Sequence, residues 1–174
     1  MKIKMMILDV DGILTDGKKY YGLDGMPFAK TFCDKDFTAI KRLRGAGVEV
    51  CFLSGDSRIN QAMAENRNID FYCARGRDKA TYIEDFEKKY NVSRAHMAYV
   101  GDDLFDVSIM KSVGASYCPC DAPRKVKEAA TEVLENRPGG NNFVMHLVDK
   151  LLADGKVLDC TLEDIERLDK DEKF

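Results

Sequence analysis

Carboxylates gather at short intervals in this chain, each time just past an apolar run. Asp9 and Asp11 follow Met5 to Leu8, Asp102 and Asp103 follow Gly101 at the end of Ala95 to Val100, and Asp106 lies one helical turn further on. Two carboxylates so close repel each other unless a cation or a shared proton intervenes. Ligands that are all oxygen favour a hard divalent ion, Mg²⁺ above all. Ser54-Gly55 closes another apolar run, Val48 to Leu53. A hydroxyl and the next backbone N–H at such a place can hold the oxygens of an anion. Lys79 follows Gly76-Arg77-Asp78 at the start of a helix, where the dipole disfavours a cation, so it needs an anionic partner close by.

The elements that must position these groups alternate. Residues 1–8, 48–53, 69–73, 95–100, 113–118 and 132–134 read as strands. Helices are expected over 35–44 with Asp34 as its cap, over 58–66 with Asp56 or Ser57 as cap and Ile59, Ala62 and Met63 inward, and over 78–90 with Tyr82, Ile83 and Phe86 inward. Further helices are expected over 104–111, from Asp121-Ala122-Pro123 to Ala130, and over 143–153. Between the first strand and the first helix, residues 18–21 and 27–32 read as arms of a hairpin around Gly22-Leu23-Asp24-Gly25. Alternation of this kind implies a mostly parallel sheet covered by helices on both faces, an α/β fold. Acids at strand ends are where such a sheet builds a site.

Composition narrows the function. The formal charge of -3 gives no support to a nucleic-acid partner, whose backbone rewards a strong positive field. No apolar segment is long enough to cross a bilayer, and the N-terminus reads as a strand rather than a signal segment. The six cysteines lack the spacing of a disulfide scaffold, and Cys118-Pro119-Cys120 has no second pair to complete a zinc site. The expected location is the cytoplasm. The length of 174 residues suits one domain. Residues 1–153 form its core and 154–174 a charged tail in which Leu162, Ile165 and Leu168 mark an amphipathic helix, free to pack on the body or on another subunit.

Asp9-Val10-Asp11-Gly12-Ile13-Leu14-Thr15-Asp16-Gly17 resembles the first motif of the haloacid dehalogenase-like phosphatases, in the form found in their capless branch, which contains the 3-deoxy-D-manno-octulosonate 8-phosphate phosphatases. The resemblance runs from about Lys4 to Leu152. It implies a three-layer Rossmann-like core, a hairpin flap after the first strand and no cap domain. It makes Asp9 the nucleophile, which forms an aspartyl-phosphate, and Asp11 the acid and base. Ser54 and the N–H of Gly55 would hold the transferring phosphoryl group, and Lys79 would touch nucleophile and phosphate. Mg²⁺ would be held by Asp9, Asp102 and the carbonyl of Val10, with Asp103 reaching it through water and Asp106 bracing Lys79. Thr15, Arg58, Arg75 and Arg137 are further candidates for binding phosphate or substrate. In such phosphatases the flap of one subunit leans toward a neighbour's site, so the aromatic arms here, with Tyr20, Tyr21 and Phe28, imply a homotetramer.

The chain departs from the octulosonate pattern near its end. Gly139-Gly140 is kept, but Asn141-Asn142 replaces Arg-Gly and Met145-His146 stands where the branch has Arg-Glu. The lost arginines are natural bidentate partners for a sugar carboxylate. Asp56 also replaces the arginine that often follows Ser-Gly. Three readings therefore compete: a Mg²⁺-dependent phosphomonoesterase on a small phosphorylated sugar or 2-keto-3-deoxy sugar acid of eight or nine carbons, the same chemistry on a nucleotide or polynucleotide 3′-phosphate, and a non-catalytic binding protein that keeps the fold.

Overall fold

Along Met5–Leu8 (β1), Met6 and Leu8 face one apolar cluster while Met5 and Ile7 face another. This two-residue alternation suits a strand enclosed between helical layers. A computed structural model describes residues 1–173. After β1 comes a small antiparallel hairpin, Tyr20–Tyr21 (β2) and Pro27–Ala29 (β3). Asp34–Gly45 (α1), Glu49–Ser54 (β4), Arg58–Asn66 (α2) and Asp70–Cys73 (β5) follow. A 3₁₀ turn at Lys79–Tyr82 runs into Ile83–Tyr90 (α3), a second at Arg94–His96 leads into Met97–Val100 (β6), and a third, Leu104–Asp106, runs into Val107–Met110 (α4). Ala115–Pro119 (β7), Arg124–Ala129 (α5), Glu132–Leu134 (β8), Phe143–Ala153 (α6) and Leu162–Lys170 (α7) complete the order.

Six strands form one sheet in the order β5-β4-β1-β6-β7-β8, and every neighbouring pair in it is parallel. The chain leaves β1 to one side for β4 and β5 and returns to its other side for β6, β7 and β8. This switch opens a crevice at the carboxyl end of β1. Phe37, Ile40 and Leu43 of α1, Ala64 of α2 and Phe143 and Leu147 of α6 cover one face. Ile83 and Phe86 of α3, Ile109 of α4 and Val126 of α5 cover the other. Each large side chain buried in this way contributes about 1.5–3 kcal/mol, so the layers set the positions of the strand ends firmly. Among the described residues no further domain interrupts the layers, and α7 packs on α1. There Lys41 pairs with Asp169 and with Glu172 at 3.1 Å, and Arg67 pairs with Glu172 at 2.8 Å. Phe174, the last residue of the expected tail, lies outside the described residues.

Several local expectations are corrected. Cys33, not Asp34, stands at the start of α1, and Asp34 is its first residue. The helix expected over 78–90 begins as a 3₁₀ turn, because the Asp78 carboxylate accepts from the N–H of Ala80 and tightens the entry. The one expected over 104–111 does so as well, because Asp103 and Asp106 form a reciprocal cap. Asp121 does not cap α5; its carboxylate accepts from the N–H of Gly139 at 3.2 Å. Ser57 stands at the N-cap of α2, but its side chain makes no cap hydrogen bond. Of the residues expected inward on that helix, Ile59 and Met63 are half-buried, Met63 against the core, while Ala62 is exposed; Asn60 and Ala64 are the fully buried ones.

Asp36 ties α1 to α6. Asn142, before α6, has φ of 57° and no side-chain cap, and the carboxylate of Asp36 instead accepts from the N–H of Met145 at 2.9 Å. Its other oxygen, Oδ2, is buried without a hydrogen bond. Burial outweighs the backbone donors and raises this carboxyl from 3.8 to about 6. A carboxyl raised in the fold contributes stability below its ordinary value and loses it as pH rises to about 6. Asp36→Asn keeps an acceptor for Met145 and removes the buried charge. Urea unfolding should find it more stable than the parent by about 2 kcal/mol at pH 7.5, with the gap closing toward pH 4. A gap that stays constant with pH would show that the buried charge carries no penalty.

Candidate active site

β1, β4 and β6 end side by side, and their first loop residues meet in the crevice. Asp9 leaves β1 with its N–H on the carbonyl of Val100, and its Oδ1 accepts from the N–H of Val10 at 2.6 Å. Lys79, brought in by the turn after β5, lies 2.6 Å from Asp9 Oδ2 and 2.6 Å from Asp106 Oδ1. The anionic partner that Lys79 needs is thus a pair of buried carboxylates. Tyr99 of β6 completes the cluster: its hydroxyl accepts from Lys79 Nζ at 3.0 Å and donates to Asp106 Oδ1 at 2.6 Å. Burial and the neighbouring carboxylates push the phenol of Tyr99 well up. Burial works against the charge of Lys79, but Asp9 and Asp106 outweigh it and hold the ammonium above its ordinary range. Burial pushes Asp9 up, against the pull of Lys79.

Asp106 has no spare capacity. Besides Lys79 and Tyr99, it accepts from the N–H groups of Asp102 and Asp103, both at 2.9 Å, and so shapes the loop after β6. Asp102 differs: its Oδ1 is buried with no hydrogen-bond partner. Burial first, then the charges of Asp9 and Asp106, raise its carboxyl to about 8. Carboxylate oxygens of Asp9, Asp102 and Asp106 lie within 4.8 Å of one another. Three acids around one lysine leave an excess of negative charge, and a hard divalent cation held by Asp9 and Asp102 fits that donor set. Gly12 makes room for it. A Cβ there would stand 2.0 Å from Asp102 Oδ2, and its φ of +77° is one that glycine adopts without strain. Gly139 is needed for a similar reason, since a Cβ on it would lie 1.7 Å from the carbonyl oxygen of Gly12.

Two residues expected to contact a metal have surroundings unlike those of Asp9 and Asp102. The carbonyl of Val10 accepts from the N–H of Leu14 at 2.9 Å, Thr15 at 3.2 Å and Ile13 at 3.3 Å, so it faces the turn and not the crevice. Among the described residues the carbonyl of Asp11 accepts no main-chain hydrogen bond outside helices and strands, which makes it a further main-chain candidate. Asp103 is exposed and accepts from the N–H of Leu104, outside the carboxylate cluster.

Other expected site residues fall into two groups. Ser54 is buried at the end of β4, with Gly55 exposed beside it. Arg75 and Arg137 stand exposed on loops after β5 and β8, and among the described residues neither forms an ion pair. Thr15 and Arg58 stand outside the carboxylate cluster. Thr15 is buried, and its hydroxyl accepts from the N–H groups of Gly12 at 3.3 Å and Gly17 at 3.1 Å, which shapes the loop. Arg58 lies in a groove of about 550 Å³ with Phe32, Phe37 and Met63, apart from the acids.

A second charged cluster forms under the hairpin. Lys30, with its side chain fully buried, lies 2.8 Å from Asp11 Oδ1, 2.9 Å from Asp56 Oδ2 and 2.8 Å from Asn60 Oδ1. Lys19 pairs with Asp56 at 2.8 Å and with Asp11 at 3.6 Å. Although burial opposes it, the hydrogen bonds from Lys19 and Lys30 hold the Asp56 carboxyl down to about 2. Asp56, which takes the place of an arginine, thus anchors the flap. Lys30, Asn60 and Tyr99 went unrecognised in the sequence. The only signal for Asn60 is a polar residue four before Ala64 on the buried side of a helix, and Tyr99 reads as an ordinary strand residue.

Residues 59–139 match the haloacid dehalogenase-like hydrolase family. A 3-deoxy-D-manno-octulosonate 8-phosphate phosphatase of Haemophilus influenzae is 36% identical over 156 residues, 88% of this chain and 86% of its own length. The cobalt-bound structure of the Haemophilus influenzae phosphatase superposes with a TM-score of 0.81 at 35% identity, covering 87% of this chain and 88% of that one. The corresponding phosphatase from Moraxella catarrhalis, solved with a magnesium ion, a phosphate ion and a KDO molecule, gives 0.79 at 26% identity, with 87% and 86% covered. With its sheet order, its flap and its paired acids at the end of β1, the chain belongs to the haloacid dehalogenase-like hydrolases, in the capless branch of the 3-deoxy-D-manno-octulosonate 8-phosphate phosphatases.

Proposed function

We propose that the protein is a Mg²⁺-dependent phosphomonoesterase that hydrolyses a small phosphorylated sugar or sugar acid of the octulosonate 8-phosphate type. The observation that carries this reading is the set of buried Asp9 and Lys79 with half-buried Asp102, in which one acid is paired with a lysine and another has a buried oxygen without a partner. Asp9 is the nucleophile. Its carboxylate attacks phosphorus and displaces the sugar oxygen, giving an aspartyl-phosphate. Asp11 donates a proton to that leaving oxygen, then takes one from the water that attacks the same phosphorus and frees Asp9. Ser54 and the N–H of Gly55 hold the phosphoryl oxygens, and Lys79 keeps Asp9 ionised and offsets developing charge. Mg²⁺, held by Asp9, Asp102 and the carbonyl of Asp11, supplies neutralisation of the phosphoryl charge when bound.

The substrate enters without passing a cap, so selection falls to the rim. Arg75 and Arg137 are exposed cations on loops after β5 and β8, and Gly139 and Gly140 pack against the first motif. Asn141, Asn142, Met145 and His146 stand where arginines would grip a sugar carboxylate, which opens the site equally to a nine-carbon acid phosphate or another sugar phosphate. All six cysteines are free, which suits a reducing cytoplasm. The flap rings support a tetramer: Tyr20, Tyr21 and Phe28 are 58%, 61% and 65% exposed, too much apolar surface for a hairpin tip with no neighbour.

Three measurements test this reading. Phosphate release with Mg²⁺, screened across octulosonate, nine-carbon acid, hexose and nucleotide phosphates, should be highest for a sugar or sugar-acid phosphate; a nucleotide winning that screen would reverse the substrate assignment. Asp9→Asn should abolish turnover with the fold intact, and Asp102→Asn should raise the Mg²⁺ concentration needed for half-maximal rate, about tenfold or more. Normal turnover in Asp9→Asn would exclude the covalent route. Sedimentation should show a tetramer that Tyr21→Ser with Phe28→Ser dissociates, with a loss of kcat/KM; a fully active monomer at micromolar concentration would refute the shared flap.

A further inference from the structure

Asn60 is fully buried on α2. A helix favours other residues at such a position, and a buried amide needs a partner for each polar atom. Here each has one. Lys30 Nζ donates to Oδ1 at 2.8 Å, and Nδ2 stands 3.1 Å from Ser54 Oγ and 3.3 Å from Asp11 Oδ2. An ammonium can only donate, so Lys30 by itself permits one orientation of the amide. Its oxygen faces Lys30, and its nitrogen faces Asp11 and Ser54. Ser54 Oγ therefore accepts from Asn60. With an N–H on its acceptor side, the single proton of the hydroxyl is left to be donated elsewhere, and among the described residues no group receives it.

We propose that Asn60 is a positioning residue for phosphoryl transfer, holding the Ser54 hydroxyl as a donor aimed at the phosphoryl oxygens, with Lys30 of the flap locking the amide in place. The inference rests on the phosphatase reading of Ser54. It gives the flap a part in the chemistry: Lys30 reaches the phosphoryl-holding serine through one side chain, and the same ammonium contacts Asp11 and Asp56. A serine whose hydroxyl is already oriented needs no reorganisation as charge develops on the transferring group.

Asn60→Leu removes the amide at similar size, and Asn60→Asp keeps its shape but turns the donor facing Ser54 into an acceptor, drawing the hydroxyl proton inward. With p-nitrophenyl phosphate and Mg²⁺, both variants should lose at least about tenfold in kcat/KM, and inorganic phosphate should inhibit them more weakly than the parent. In a Ser54→Ala background, Asn60→Leu should cost much less, because the hydroxyl it orients is gone. A merely structural role predicts the same factor in both backgrounds. Equal factors, or both single variants within about twofold of the parent, would overturn the proposal. Should Asn60→Leu fail to fold, Asn60→Asp and its Ser54→Ala partner give the same comparison. A parent protein that releases no phosphate from any ester would instead overturn the phosphatase reading, and the inference with it.

Discussion

Lys79 lies between Asp9 and Asp106, 2.6 Å from each, with all three side chains nearly or wholly out of water. Taking a charge out of water costs several kcal/mol even after relaxation, and this is tolerable only where partners are close and well aligned. Each member comes from a different strand end: Asp9 after β1, Lys79 after β5, Asp106 after β6. The trio can exist only if the sheet has this order and the loops have these lengths. Removing one member leaves an uncompensated buried charge, so packing and chemistry impose the same demand on the fold.

The balance of charge around that trio divides the work. Asp106 is saturated by four donors and cannot serve as an exchangeable ligand. Asp102, two residues past β6, keeps a buried oxygen with no partner. Two acids of one motif thus have opposite roles, one shaping the loop and one available to a cation, and the hydrogen-bond census separates them. Gly12 and Gly139 belong to the same arrangement, since side chains there would occupy the space of Asp102 and of the first-motif backbone.

Above this cluster, the hairpin is held by charge rather than by its rings. Lys19 and Lys30 reach down to Asp11 and Asp56, while Tyr20, Tyr21 and Phe28 point away from the body. A two-stranded hairpin is marginal alone, and buried ion pairs at its base give it a defined place over the site. The flap and Asp11, the acid and base of the proposed mechanism, are therefore in direct contact.

Much of this was legible from sequence. Apolar runs ending in Asp9, Ser54 and Asp102 marked strands whose ends converge, because parallel strands in a two-sided sheet must be apolar throughout and loops carry what is polar. The first-motif string and the chain-long alternation of strand and helix fixed the family and its fold. Contacts between side chains far apart in the chain were decided only by tertiary structure. Asn60 on α2, Lys30 on the hairpin and Tyr99 within β6 have no local pattern that announces a site, since each acquires its role from neighbours dozens of residues away. The same holds for Val10, whose carbonyl turned out to be engaged by the Ile13–Thr15 turn, and for Asp103, which caps a 3₁₀ turn while Asp106 takes the inward place. Sequence spacing sets which groups arrive at the crevice; the direction in which each then points depends on which hydrogen bonds the finished packing leaves open.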